Sequence, residues 1–229
     1  GSFERDALSK LDELFQKNPV QIMVGGSGLY VDAVLKGLDY FPDVDPKIRE
    51  ELTKQLQEKG IETLQEKLKE LDLETYHSIA IDNPHRIMRA LEICIGAEIP
   101  YSTFKNKPKT PRNFTSIKIG LNAEREVIYN RINERVDNML ANGLLEEAEK
   151  LYPNKDLNAL QTVGYRELFS FFDGEFTQEF AISEIKKNTR RFAKRQGTWF
   201  KKDEETLWFD YQTNINEIIT KISDKINDI

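Results

Sequence analysis

One cysteine, Cys94, leaves the chain without an internal disulfide, so a reducing, cytoplasmic setting is expected. With that cysteine and only His77 and His85, the three or four ligands of a zinc site are not available. No apolar run approaches a membrane span, and no charged-then-apolar signal pattern opens the sequence. No glycine-rich loop runs into Gly-Lys-Ser/Thr, which excludes a Walker A phosphate loop within these residues. A nucleophile elbow, a kinase signature and a glycosidase carboxylate pair are also missing. No internal repeat or low-complexity tract occurs.

What is present is an ordinary soluble composition: 229 residues, 39% hydrophobic and 31% charged, with a formal net charge of −6. A chain of this length can bury a substantial core as one large or two small domains. Its acidity rules out a generic polyanion binder, so any nucleic-acid contact must come from a local basic patch. One such patch exists. Lys186 to Lys202, KKNTRRFAKRQGTWFKK, holds eight Lys and Arg and no acidic residue. At helical pitch Ile185, Thr189, Phe192, Gln196 and Trp199 share a stripe, while Lys187, Arg190, Arg191, Lys194 and Arg195 lie off it. A solvated charged face is one reading. A phosphate-facing helix is the other, favoured because no acid within the run neutralises it and because Gln196 needs a partner inside an apolar stripe.

The rest of the chain is read in order. Residues 3–17 carry helical spacing through Phe3, Ala7, Leu8, Leu11, Leu14 and Phe15, ended by Pro19. Val20–Val24 reads as a short buried strand, then Gly25-Gly26-Ser27-Gly28 as a turn into a helix reaching about Lys36. That layout can aim backbone N–H groups at an anion, but a tight turn explains GGSG equally well. Asp45-Pro46 opens a helix to about Lys59, and Ile61–Leu71 follows with Leu64, Leu68 and Leu71 on one face. Asn83-Pro84 opens the next, with Ile87, Ala90, Leu91 and Cys94 inward and Arg86 and Arg89 on a neighbouring face. Residues 100–111 form a connector loop. Ser116–Leu121 alternates as a strand, followed by a long helix with Ile128, Ile132, Val136, Met139 and Leu140 inward and Arg131 and Arg135 one turn apart. Asn142-Gly143 breaks it, and another helix runs to Tyr152. Thr162 to Arg166 turns into a helix over 167–172; the basic helix, a short strand at Leu207–Phe209 and an amphipathic helix from Asn214 complete the chain.

Five motifs in this order carry a resemblance: Val24-Gly25-Gly26-Ser27-Gly28-Leu29-Tyr30; Asp45-Pro46 with Arg49; Asn83-Pro84-His85-Arg86-Ile87-Met88-Arg89-Ala90-Leu91-Glu92; Val163-Gly164-Tyr165-Arg166-Glu167; and Thr189 to Gln196 with Thr198-Trp199. Together they resemble the bacterial tRNA dimethylallyltransferases. The resemblance implies an α/β fold: a P-loop-NTPase-like parallel-sheet core, mostly helical overall, with an inserted helical lobe. Residues 3–42 and 82–229 would form the core and 43–81 the lobe that closes on the anticodon stem-loop.

It also implies an activity, transfer of a dimethylallyl group from dimethylallyl diphosphate to the exocyclic amine of the adenosine beside the tRNA anticodon, with Mg²⁺. Ser27 stands where the family usually has threonine, hydrogen-bonding at the reacting amine. Arg135 and Arg131 match an arginine near the diphosphate, where a guanidinium neutralises the leaving group. Contact with tRNA is implied for Ser27, Arg49, His85, Arg86, Ile87, Met88, Arg89, Gln161, Thr162, Val163, Gly164, Tyr165 and Arg166. The same holds for Arg190, Arg191, Phe192, Ala193, Lys194, Arg195, Gln196 and Gly197.

The family's phosphate loop and catalytic aspartate have no counterpart after Phe3, and Gly1-Ser2 reads as a cloning scar. A truncated chain, inactive alone, is therefore expected, with an exposed sheet edge beside Val20–Val24. The full-length protein is expected to be monomeric and cytoplasmic, with no membrane contact. Two alternatives remain: a non-catalytic RNA-binding module, and an adenylate isopentenyltransferase, which would have no use for an anticodon lobe.

Overall fold

The computed structural model describes residues 1–107 and 110–228. The chain divides into two units, Gly1–Met23 with Leu29–Asn113, and Val24–Gly28 with Phe114–Ile229. The expected mostly helical α/β class is what forms.

In the first unit, helices α1 (Ser2–Phe15), α2 (Gly28–Leu35), α3 (Pro46–Lys59), α4 (Ile61–Leu71), α5 (Leu73–Ser78) and α6 (Pro84–Ala97) follow one another. Asp45 caps α3, its carboxylate accepting the Lys47 N–H at 2.9 Å with Pro46 at the first helical position. This is the start signal its sequence announces. Asn83 does the same for α6, accepting from His85 at 3.1 Å. Leu52 of α3, Leu64 and Leu68 of α4, and Ile87, Met88, Ala90, Leu91 and Cys94 of α6 close into one core. Each fully buried leucine or isoleucine there contributes about 1.5–3 kcal/mol. The stretch 43–81 thus shares its core with α6. Arg112 ties the unit's ends together. It donates to the carbonyls of Ala33 and Val34 at the close of α2, at 2.7 and 2.8 Å, and pairs with Glu4 at 2.6 Å.

In the second unit, β1 (Ile119–Asn122) and β2 (Leu207–Asp210) pair in parallel, Ile119 opposite Leu207 through Asn122 opposite Asp210. Between them lie α7 (Arg125–Ala141), α8 (Leu144–Leu151), α9 (Tyr165–Phe172) and α10 (Gln178–Phe200), and α11 (Ile215–Asn227) follows β2. Lys118, just before β1, bridges Asp203 at 2.8 Å and Glu205 at 2.9 Å. Partial burial opposes its charge, but the two carboxylates outweigh that and hold its pKa above the usual lysine value. The core joins Val136, Leu144, Ala148, Leu168, Phe169, Ala181 and Ile185.

Several expectations need correction. Val20–Val24 is not a strand: Ile22 is 86% and Val24 89% exposed, and no ladder partner exists for the segment among the described residues. A β-branched run without a neighbour has nowhere to place its backbone groups except water. The strand at 116–121 forms only over 119–122, the length its partner β2 matches. α5 was not foreseen. The 100–111 connector contains a 3₁₀ turn, Tyr101–Phe104, and its positions 108 and 109 lie outside the described residues. Of the residues read as inward on α7, only Val136 is buried, and Met139 is exposed, as is Leu71 at the last position of α4. On α10 the stripe is buried at Ile185 but not at Phe192 or Trp199, which are 45% and 44% exposed. Both buried residues of α10 precede Lys186, so the basic half of this helix presents its aromatics.

Candidate active site and RNA-binding residues

In the second unit, α10 holds the glycine turn. Gln196 Nε2 donates to the Gly26 carbonyl at 2.8 Å, which answers the polar residue in the apolar stripe. A Cβ on Gly26 would overlap the Gln196 amide, and one on Gly28 would stand 2.6 Å from Trp199 Cγ. No turn glycine here has positive φ, so close packing rather than backbone conformation requires Gly26 and Gly28. Gly25 has open space around it. Between them Ser27 is exposed, its hydroxyl without a hydrogen-bond partner among the described residues.

The cations of α10 are not equivalent. Lys186 pairs with Asp137 of α7 at 2.6 Å and Lys187 with Glu184 at 2.6 Å, so acids outside the 186–202 run neutralise its start. Arg190 turns onto α7, donating to Asn133 Oδ1 at 2.8 Å with its guanidinium 5.8 Å from the Tyr129 ring centre. These residues line an open cavity of about 650 Å³ together with Arg125 and Asn130. Arg191, Lys194 and Arg195 are exposed; Arg191 reaches Asn188 at 3.3 Å, and Arg195 lies 5.5 Å over the Phe192 ring. Ala193 and Gly197 are half-buried between them. On α7, Arg131 lies 5.5 Å over Tyr211. Arg135 is exposed, with no partner among the described residues.

The 161–166 turn is built by a carboxylate. Gly164 has φ +106°, a conformation other residues rarely adopt. Its N–H donates to buried Glu167 at 2.8 Å, and the other Glu167 oxygen accepts Asn188 of α10 at 2.8 Å. Gln161 donates to the Lys155 carbonyl at 2.7 Å and Tyr165 to Glu147, Val163 packs on the core, and Thr162 and Arg166 are exposed.

In the first unit, Arg49 and Arg89 converge on Glu92, Arg49 through Nε and Arg89 at 3.3 Å. His85 and Arg86 are exposed on the first turn of α6, whereas Ile87 and Met88 are buried in its core. Those two can position their neighbours but present no side chain to a partner. The residues given no role from the sequence are the braces: Glu92 and Glu167, which entered only as motif members, with Asn133 and Asn188. Their one available signal was a polar residue on an inward helix face, the signal that did single out Gln196. Cys94 behaves as packing: burial pushes its thiol pKa up, and its sulfur accepts the Tyr101 N–H at 3.3 Å.

The family model described as IPP transferase matches residues 1–203. The tRNA dimethylallyltransferase of Flavobacterium psychrophilum is 62% identical over 232 residues, 99% of this chain and 76% of that protein. The crystal structure of the full-length tRNA isopentenylpyrophosphate transferase from Bacillus halodurans is 34% identical with a TM-score of 0.63, covering 99% of this chain and 72% of the other. A eukaryotic dimethylallyltransferase acting on tRNA, 21% identical, shares the fold at a TM-score of 0.76 over 99% of this chain and 61% of its own. With this match across most of its length, the chain belongs to the IPP transferase family.

Proposed function

We propose that the protein transfers a dimethylallyl group from dimethylallyl diphosphate to a tRNA adenosine, at the exocyclic amine of the base 3′ of the anticodon. The amine nitrogen bonds to the allylic carbon, the carbon–oxygen bond to diphosphate breaks, and diphosphate leaves with the electron pair while the amine gives up a proton to water. Ser27 supplies a hydroxyl that accepts the amine N–H and orients its lone pair. Arg135, with Arg131 beside it on α7, meets the charge that grows on the departing diphosphate.

The observation that carries this reading is the fixed glycine turn: Gln196 holds Gly26, leaving the Ser27 hydroxyl exposed and unpartnered among the described residues. Arg49, His85, Arg86, Arg89, residues 161–166 and the exposed cations of α10 are assigned to the tRNA, with 43–81 as the lobe closing on its anticodon stem-loop. The Mg²⁺ that the family resemblance implies finds no group of three or more His, Cys, Asp or Glu ligands among the described residues. Among the described residues no helix is long and apolar enough to cross a membrane. A cytoplasmic monomer is the form we propose.

The test is Ser27→Ala in the full-length protein. Turnover should fall by a factor corresponding to roughly 2.7–4 kcal/mol, as loss of a transition-state hydrogen bond does elsewhere, while stem-loop affinity changes little. An unchanged turnover number would reduce Ser27 to a turn residue.

A further inference from the structure

Arg131 on α7 is held without being neutralised. Elsewhere in the second unit, Lys118, Lys186 and Lys187 each end on a carboxylate, and Arg190 gives a donor to Asn133. Arg131 makes no ion pair or hydrogen bond among the described residues; its guanidinium lies 5.5 Å over the Tyr211 ring. A carboxylate partner uses up both the charge and the donors of a cation. An aromatic ring restrains a guanidinium through its quadrupole and leaves its charge in place. The N–H donors of Arg131 therefore remain available to an anion.

Tyr211 is itself fixed by its neighbours. It follows β2 directly, and its N–H donates to the Asn122 carbonyl at the end of β1 at 2.8 Å, one bond beyond the paired strands. Its hydroxyl accepts the Gln212 side-chain amide at 2.8 Å, and the Gln212 N–H donates to the Asp210 carboxylate at 2.9 Å. Tyr211 thus stands at the carboxyl ends of two parallel strands, the end of an open α/β sheet where ligands bind. Arg135 lies one turn further along α7, and like charges at that spacing repel. Two unrestrained guanidiniums would drift apart into solvent; the ring keeps one of them in place.

We propose that Tyr211 is a positioning residue for the diphosphate: its ring holds the Arg131 guanidinium, charged and with its donors free, where it meets the leaving group of dimethylallyl diphosphate. This rests on the reading that Arg131 faces the diphosphate, and it adds a residue outside α7 to that site. A planar fork fixed in advance loses less freedom on meeting a phosphate than a free side chain does. The signature is a dependence on the ring and not on the hydroxyl.

The experiment uses the full-length protein and measures kcat/KM for dimethylallyl diphosphate, inhibition by inorganic diphosphate, and stem-loop affinity. The variants are Tyr211→Phe, Tyr211→Leu, Arg131→Ala and the double variant Tyr211→Leu with Arg131→Ala. Tyr211→Leu is expected to lower kcat/KM and weaken diphosphate inhibition by about two- to fivefold, the scale of an exposed cation–π contact. Tyr211→Phe should match wild type, and stem-loop affinity should hold throughout. In the Arg131→Ala background Tyr211→Leu should have no further effect. Replacing Tyr211 by phenylalanines of rising ring fluorination drains the quadrupole and keeps the shape, so kcat/KM should fall stepwise even if the leucine variant does not fold. Equal damage from Tyr211→Phe would make the hydroxyl the acting group and overturn the proposal. An unchanged Tyr211→Leu, or an effect that survives undiminished in the Arg131→Ala background, would overturn it too. If Arg131→Ala leaves diphosphate inhibition intact in an active enzyme, the underlying placement of Arg131 fails, a result distinct from failure of the Tyr211 contact.

Discussion

Gln196 on α10 donates to the carbonyl oxygen of Gly26, 170 residues earlier in the chain, at 2.8 Å. One side chain of the basic helix thereby sets the backbone on which Ser27 sits. The bond is to a main-chain atom, so its geometry fixes the turn rather than any one rotamer.

Gln196→Ala should therefore cost little stability, about 0.5–1.5 kcal/mol, and lower turnover more than it weakens tRNA binding. Gly28→Ala should also impair turnover, because its new methyl must displace the Trp199 ring. Gly25→Ala should be silent by the same measure, since nothing of the protein stands within 4 Å of its Cβ. Urea midpoints and steady-state constants for the three variants check this. Equal damage from Gly25→Ala would mean that substrate, not protein, occupies the space beside Gly25.

A second prediction concerns acid lability. Asp72 is buried, which raises a carboxyl pKa, but the Thr75 N–H, the Thr75 hydroxyl and the Ser102 N–H, at 2.9, 2.7 and 2.7 Å, outweigh burial and hold it below the ordinary value. A lowered folded pKa contributes stability that is present above the unfolded value, about 3.9, and is lost as pH falls through the folded one. Asp72→Asn leaves one oxygen to serve three donors and should destabilise by about 1–3 kcal/mol at neutral pH. It should also flatten the decline in stability on acidification below about pH 4. Urea melts at neutral and acid pH decide it. Parallel declines in wild type and variant would remove Asp72 from the account of acid unfolding.

Local signals were legible where a short segment determines its own structure. Asp45-Pro46 and Asn83-Pro84 announce helix starts because the cap and the proline act within one turn. Strands were read at 116–121 and 207–209, though not as the parallel pair 119–122 with 207–210, since register is set by residues far apart in sequence. Val20–Val24 failed because β-branched composition describes a residue's fit to a sheet, not the presence of a neighbour. The candidate site divided the same way. Gln196 was conspicuous as a polar residue in an apolar stripe; Glu92 was quoted only as the last residue of a motif, and its burial shows in the structure. No periodicity could have shown that Arg190 bends onto Asn133, because that depends on which helix lies beside α10.

The last prediction sorts the basic helix by those partners. If Arg191, Lys194 and Arg195 each meet an RNA phosphate, each alanine variant should lower the salt slope of tRNA binding by about one unit, equally for all sequences. Arg190→Ala should leave the slope nearly unchanged, because its guanidinium is already committed to Asn133 and Tyr129. Its effect should be a loss of stability of about 1.5–3 kcal/mol, the scale of a hydrogen bond to a charged group. Phe192 and Trp199 also change standing. Had they been core, truncation would cost about 3–5 kcal/mol; at 45% and 44% exposure the cost of Phe192→Ala should be nearer 1 kcal/mol. Phe192, with Arg195 across its ring, is instead placed to stack a base, an interaction worth about 1–3 kcal/mol of binding. Salt titrations of tRNA affinity and urea melts on the same five variants give both axes. Equal slopes for Arg190, Arg191, Lys194 and Arg195 variants and wild type would leave α10 a solvated charged face.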